Sequence, residues 1–351
     1  MGRRRRAVRV ATAAAAAAAA WGTAGYIEAL RAATLPPGPA ADPNLSASAL
    51  LDFERNGHVA TRGLLAPAEF AGVAKRLRAI AEAERAEAEE HAEEFAGAGL
   101  LDVWDGAERG GALAPAADAE EEGDLEDEAS GHYGSPSGAP PFLQVFNPHR
   151  RHAAARDLAF SPALAATAAA LLGVACVRLY QDCLFWKRPG HDATSWHADL
   201  WTAPLATNAA VTVWLPLHNV GVADAPLFFQ SRSHRDMAAL VHSGQMEELG
   251  IDQDACPPPG MSGVHHAPLQ EGDATWHHGW TVHGAPPLDP DAATGVDGRL
   301  AYAATYFADG ARALLAAAEP EDGPSFVDWL PEVEPGSLAS HELLPVAYPR
   351  P

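Results

Sequence analysis

The chain has 351 residues, 48% of them hydrophobic, and carries 46 acidic against 24 basic side chains for a formal charge of -22. That length admits one large domain or two small ones. The acidity excludes broad nucleic-acid affinity, because phosphate binding needs clustered Lys and Arg.

Arg3 to Arg6 precede an alanine-rich apolar stretch from about Ala7 to Gly25, and the first acidic residue is Glu28. A positive start followed by an apolar segment fits a secretory signal, a signal anchor or a mitochondrial presequence. Alanine is only weakly apolar, so a true membrane span is not expected, and any membrane contact would run through this segment alone. Residues 1–41 are therefore read as a targeting segment ending in the Pro-rich linker Leu35-Pro36-Pro37-Gly38-Pro39. The C-terminus, Tyr348-Pro349-Arg350-Pro351, is no peroxisomal address.

Residues 42–97 read as mostly helical. Phe70, Val73, Leu77 and Ile80 form one stripe of a helix that Pro67 can start. Before it, Asn56 to Gly63 reads as a turn and a short strand. Residues 98–140 are rich in Gly, Ala, Pro and acids and predict an irregular acidic insertion, with Asp118 to Glu128 a solvated loop. A second helix is expected over Pro162 to Leu172, stopped by Gly173. From Val174 onward, short β-type runs alternate with turn residues: 174–187, 194–201, 209–218, 226–230, 262–267, 273–283 and 299–308. Many short strands between Gly and Pro turns predict a sandwich or barrel. The three cysteines, Cys176, Cys183 and Cys256, match no zinc or redox spacing.

Trp196-His197-Ala198-Asp199 sets an imidazole and a carboxylate two residues apart. On a β-strand those two side chains share a face, so one strand could offer two ligands to one ion. A surface strand with both groups in solvent is the ordinary alternative. Trp196 and Leu200 would turn to an apolar side. A third ligand is sought in the run Glu271 to His283, a Gly272-Asp273 turn followed by a strand. His283 is the first candidate there. His277 shares its face if the strand is regular and is a rival ligand or a supporting partner, and His278 becomes one if a bulge shifts the phase. Two His and one carboxylate on one face hold non-haem Fe(II) with positions left open. Arg299, at the head of the apolar strand Arg299 to Tyr306, suggests a bidentate partner for a carboxylate, with a surface ion pair as the alternative. No nucleophile elbow, phosphate loop or CxxC pair is present.

The order of these motifs resembles the phytanoyl-CoA dioxygenase family of Fe(II)/2-oxoglutarate oxygenases over most of residues 48–310. Leu51 to Val59, Leu184 to Gly190 before the His197/Asp199 motif, Val213-Trp214-Leu215-Pro216-Leu217, and Pro226 to Phe229 with Ser233-His234 carry the similarity. Ser231-Arg232 departs from the family's Pro-Gly, and Arg299 comes 16 positions after His283. The resemblance implies a mainly β fold with flanking helices around a double-stranded β-helix (jelly-roll, cupin-like) core. It implies His197, Asp199 and His283 as iron ligands. Arg299 would hold the distal carboxylate of 2-oxoglutarate, with Trp214 on a strand beside the site.

The implied cofactors are Fe(II), 2-oxoglutarate and O2, and the implied reaction is hydroxylation of a small-molecule or acyl-type substrate with release of succinate and CO2. A carboxylate at Asp199, rather than Ala or Gly, separates the chain from halogenating relatives. The oxygenase domain would span 42–320, leaving 321–351 as a C-terminal extension. A cupin-like isomerase using the triad as a Lewis acid, or a non-catalytic binding protein on the same fold, are the competing readings.

Overall fold

The computed structural model describes residues 45–90, 100–103, 142–238, 263–291, 297–314, 330 and 332–349. In chain order its elements are α1 (Ala47–Asn56), β1 (His58–Thr61), α2 (Pro67–Glu90), β2 (Leu100–Val103), β3 (Phe142–Phe146), α3 (Pro148–Arg151), α4 (Ala153–Ala159), α5 (Pro162–Leu172), β4 (Val177–Lys187), β5 (Thr194–His197), α6 (Asp199–Thr202), β6 (Leu205–Ala206), β7 (Ala210–Pro216), β8 (Phe228–Phe229), β9 (Val264–His265), β10 (Ala274–His278), β11 (His283–Ala285), β12 (Arg299–Ala308), β13 (Arg312–Ala313) and β14 (Val346–Tyr348). The expected targeting segment and the acidic run from Asp118 to Glu128 lie outside the described residues. Among the described residues, no helix is long and apolar enough to cross a membrane.

The expected helices form where their caps allow. Ser46 accepts from the Ala49 amide, and Gly57 ends α1 with a left-handed φ of 80° that a side chain would resist. Ser161 and Pro162 open α5 and Gly173 closes it. The stripe on α2 is borne out, with Phe70 and Leu77 buried and Val73 and Ile80 packed against the same core. Burying side chains of this size contributes about 1.5–3 kcal/mol each.

One eight-stranded sheet runs β1-β10-β7-β12-β4-β3-β2, with β14 also pairing β4. A smaller sheet runs β5-β11-β8-β9. On β12, Leu300, Tyr302, Ala304 and Tyr306 face outward and pack with Val211, Val213 and Leu215 of β7 against helical residues such as Phe70 and Leu164. The alternate residues of β12 face inward. Ala301 and Ala303 cluster there with Trp214, and Phe307 with Trp196, Leu200 and Trp280. This period-2 division puts a hydrophobic layer under the helices and leaves the inner faces of two sheets to hold polar groups. The architecture is the expected jelly roll.

Four local expectations change. The strand begun at 194 ends at His197, and Asp199 opens the single turn α6. Ala198 between them is still extended, with φ -124° and ψ 133°, so the two side chains keep the strand-like approach. The run 273–283 is two strands in two sheets, because a turn at Gly279 and Trp280 breaks it and Thr281 N bonds His278 O. Within 98–140, Leu100–Val103 is no irregular insertion. Its four residues pair parallel with β3, a strand the periodicity missed. Finally, the segment read as an extension supplies β14, and Leu330, Val333, Ala339 and Leu344 enter the inter-sheet core.

Candidate metal centre

His197 ends β5 and His283 begins β11, and the ladder between those strands sets the two directly opposite each other. Asp199 is the second residue after β5. The structure thus brings together His197, Asp199 and His283, whose ligand atoms all lie within 4.8 Å of one another. Asp199 Oδ1 is 3.8 Å from His197 Nε2 and 3.6 Å from His283 Nε2. These separations place the three ligand atoms close enough together that they could hold one ion.

The rings are oriented for that task. His197 Nδ1 donates to Ser195 O at 2.8 Å, and His283 Nδ1 donates to Thr281 O at 3.0 Å. Each imidazole therefore carries its proton away from the site and turns the Nε2 lone pair inward, the arrangement metal-binding histidines adopt. His283 is 6% exposed and His197 43%, so the centre is closed on one side and open on the other. Desolvation opposes the charge on Asp199, but His283, His277 and His197 outweigh it and hold the carboxyl well below its usual range. Burial pushes His283 down, and His277 and His197 add to the effect. The donor set, two imidazoles and a carboxylate, fits a divalent transition metal such as Fe(II).

His277 is not one of the three. Its Nε2 lies 3.1 Å from Asp199 Oδ2, the oxygen turned from the other two histidines. His278 faces outward, where its Nδ1 accepts from Trp280 N and its ring lies near Phe53 and His234. Sequence reasoning missed Thr212, whose hydroxyl donates to Asp199 Oδ2 at 2.5 Å, and Phe229, whose ring packs 6.3 Å from that of His283 and 5.5 Å from that of His277. A threonine two residues before Trp214 in an otherwise apolar strand was the available signal for the first.

Arg299 is 2% exposed and lies on the inner face of β12. Its guanidinium carbon stands 5.5 Å over the Trp214 ring, so the two predicted residues are neighbours. Nη1 donates to Ala225 O, while Nε is buried without a partner. Among the described residues no carboxylate pairs with it. Burial pushes its pKa down to about 10, which still leaves it charged at neutral pH. A buried cation without an acid costs stability unless an anion joins it. This is the orphaned donor that a ligand carboxylate would satisfy.

Two histidines and an aspartate converging between the sheets of a jelly roll form the donor set characteristic of mononuclear non-haem Fe(II) oxygenases. Residues 53–289 match the phytanoyl-CoA dioxygenase family. The chain belongs to that family, and its chemistry is of the Fe(II)/2-oxoglutarate oxygenase type. Similar solved folds include the non-haem α-ketoglutarate-dependent carbocyclase SnoK from nogalamycin biosynthesis (22% identity, 88% of this chain and 99% of that chain, TM-score 0.55). The epimerase SnoN from the same biosynthesis is also similar (21% identity, 86% and 97%, TM-score 0.54). So is EctD from S. alaskensis, solved with 2-oxoglutarate and 5-hydroxyectoine (17% identity, 88% and 95%, TM-score 0.52). No curated protein sequence matches the chain.

Proposed function

We propose that the protein is an Fe(II)- and 2-oxoglutarate-dependent hydroxylase of a small-molecule or acyl-type substrate, with His197, Asp199 and His283 as the iron ligands. Bound there, iron with 2-oxoglutarate and O2 supplies oxidative decarboxylation of the cosubstrate to succinate and CO2, with transfer of one oxygen atom to a substrate C–H bond. The protein supplies orientation and a sheltered pocket. His197 and His283 keep their Nε2 atoms toward the site through the bonds to Ser195 and Thr281. Arg299 binds the distal carboxylate of 2-oxoglutarate and thereby orients its keto-acid end, with Trp214 as the wall beside the guanidinium. Phe229 and the apolar cluster around Trp196 and Leu200 keep water from one flank.

The observation that carries this reading is Arg299: a charged, buried guanidinium with no acidic partner among the described residues. A Lewis-acid isomerase working without a cosubstrate does not require it. Asp199 supports hydroxylation by filling the third ligand position with a carboxylate. The test is a substrate-library screen with iron-loaded protein, following succinate and product mass. The reading predicts succinate formed together with a product heavier by one oxygen. A product of unchanged oxygen count, as ring closure or epimerisation would give, overturns hydroxylation while leaving the oxygenase class intact.

A further inference from the structure

We infer that His277, with Thr212 and Thr305, is a clamp that holds Asp199 in place as a metal ligand through one oxygen only; this rests on the iron-centre reading above. The two oxygens of Asp199 face different surroundings. Oδ1 is turned to the Nε2 atoms of His197 and His283, at 3.8 and 3.6 Å. Oδ2 meets the Thr212 hydroxyl at 2.5 Å and His277 Nε2 at 3.1 Å.

The strand register builds the clamp. His277 on β10 is the cross-strand partner of Thr212 on β7, and Thr212 is the partner of Thr305 on β12. Directly opposed residues share a face, so all three point to the inside of the sheet. Asp199 Oδ2 can only accept, so Thr212 donates to it. The Thr212 oxygen then accepts from Thr305 Oγ1 at 2.9 Å. The result is a directional chain from Thr305 to Thr212 to Asp199, in which each bond polarises the next.

For the same reason His277 must carry its proton on Nε2. Its Nδ1 is buried without a partner in a residue only 2% exposed. Such an orphan destabilises the fold, and a phenylalanine would fill nearly the same space without it. The imidazole is therefore explained by what its Nε2–H does. The ring centroid of His277 is 4.1 Å from that of His283, so its place in the centre is tightly packed as well. With two donors on Oδ2, the carboxylate is held before metal arrives, and Oδ1 is the oxygen left for the ion. His277 is a positioning residue, acting through Asp199.

Co(II), whose visible absorption reports ligand geometry, is the probe. Full-length protein and the variants His277→Phe, His277→Gln and Thr212→Val are titrated with Co(II) without air. His277→Phe and Thr212→Val should bind about 10- to 100-fold more weakly, the usual cost of losing a group that supports a ligand, with an altered absorption band. His277→Gln, which keeps an N–H donor, should recover affinity to within a small factor and restore the band. Thr212→Val is nearly isosteric and decides the matter if His277→Phe does not fold. Wild-type affinity and spectrum in both donor-less variants overturn the clamp, as does a His277→Gln variant as impaired as His277→Phe. If the wild type itself takes up no Co(II), the iron-centre reading falls and the clamp falls with it. If the wild type binds and the variants match it, the clamp alone falls.

Discussion

His197 and His283 stand directly opposite each other across the β5–β11 ladder, although they are far apart in the chain. Each ring donates its Nδ1 proton to the carbonyl two residues before it, Ser195 for one and Thr281 for the other. The two imidazoles are thus presented by the same local device on facing strands. Their ring centroids are 4.2 Å apart. Backbone pairing, rather than side-chain packing alone, sets the spacing of the two imidazoles.

Removing a ligand should therefore abolish tight metal binding while leaving the fold. His197→Ala, Asp199→Ala and His283→Ala are each expected to weaken Fe(II) binding by more than about 100-fold, beyond the loss seen for supporting groups. Succinate formation should fall with it. Anaerobic calorimetric titration measures this, and full metal affinity in either the His197 or the Asp199 variant would exclude the triad.

The same ladder makes Gly284 sensitive. A Cβ there would come 2.8 Å from the backbone oxygen of Thr194, and backbone cannot swing aside as a side chain can. Gly284→Ala should push β11 from β5, costing about 1–3 kcal/mol by overpacking. It should also separate His283 from His197, so Fe(II) affinity should drop although no ligand has changed. A variant with the wild-type melting temperature and Fe(II) affinity would contradict the idea that this close approach matters.

Much of this centre was legible in the sequence because its groups keep a local spacing. His197 and Asp199 are two residues apart, and Ala198 is extended, so the alternation rule held across a strand end that the pattern did not show. The third member of the cluster, His283, was harder. Residues 273–283 look like one strand, and only the turn at Gly279 and Trp280 reveals that His277 and His283 arrive from different sheets. Alternation alone therefore grouped His277 with His283, and the role of His277 depends on the cross-strand register with Thr212, which no local pattern encodes. The strand Phe142–Phe146 was missed for a similar reason: its partner β4 is distant in the chain. The C-terminal β14 pairs with β4, so its place in the core is likewise non-local.

Arg299 makes a prediction about the cosubstrate. If its guanidinium is completed by the distal carboxylate of 2-oxoglutarate, then the ligand should stabilise the iron-loaded protein, by about 2.7 kcal/mol at a hundredfold excess over Kd. Arg299→Leu should lose most of that stabilisation and raise the KM for 2-oxoglutarate by about 30-fold or more, corresponding to about 2 kcal/mol for a truncated buried charge contact. Arg299→Lys keeps the charge but not the fork and should fall between. Thermal-shift and steady-state measurements read both. An unchanged KM in Arg299→Leu would assign the cosubstrate carboxylate elsewhere.

The histidines away from the ligands predict an acid-sensitive fold. Burial pushes His58 down to about 3, with His266 and His277 adding to it, and His58 bonds His266 Nε2 at 2.9 Å and Ser231 Oγ at 2.7 Å. Burial likewise lowers His266 to about 4, with Arg62 contributing, and His191 to about 4, with Lys187 contributing. An unfolded histidine titrates near about 6.5. All three folded values lie below that, so the unfolded state binds more protons between about pH 6.5 and pH 4. Their contribution is fully present above about pH 6.5 and is lost as the pH falls toward the folded values. Each proton taken up on unfolding adds up to about 1.4 kcal/mol per pH unit to the slope. The denaturant midpoint of the metal-free protein should therefore drop between pH 7 and pH 5. His58→Gln, which can still bond Ser231, should give a shallower drop. A wild-type midpoint that stays level over that range would show that these imidazoles are protonated within the fold.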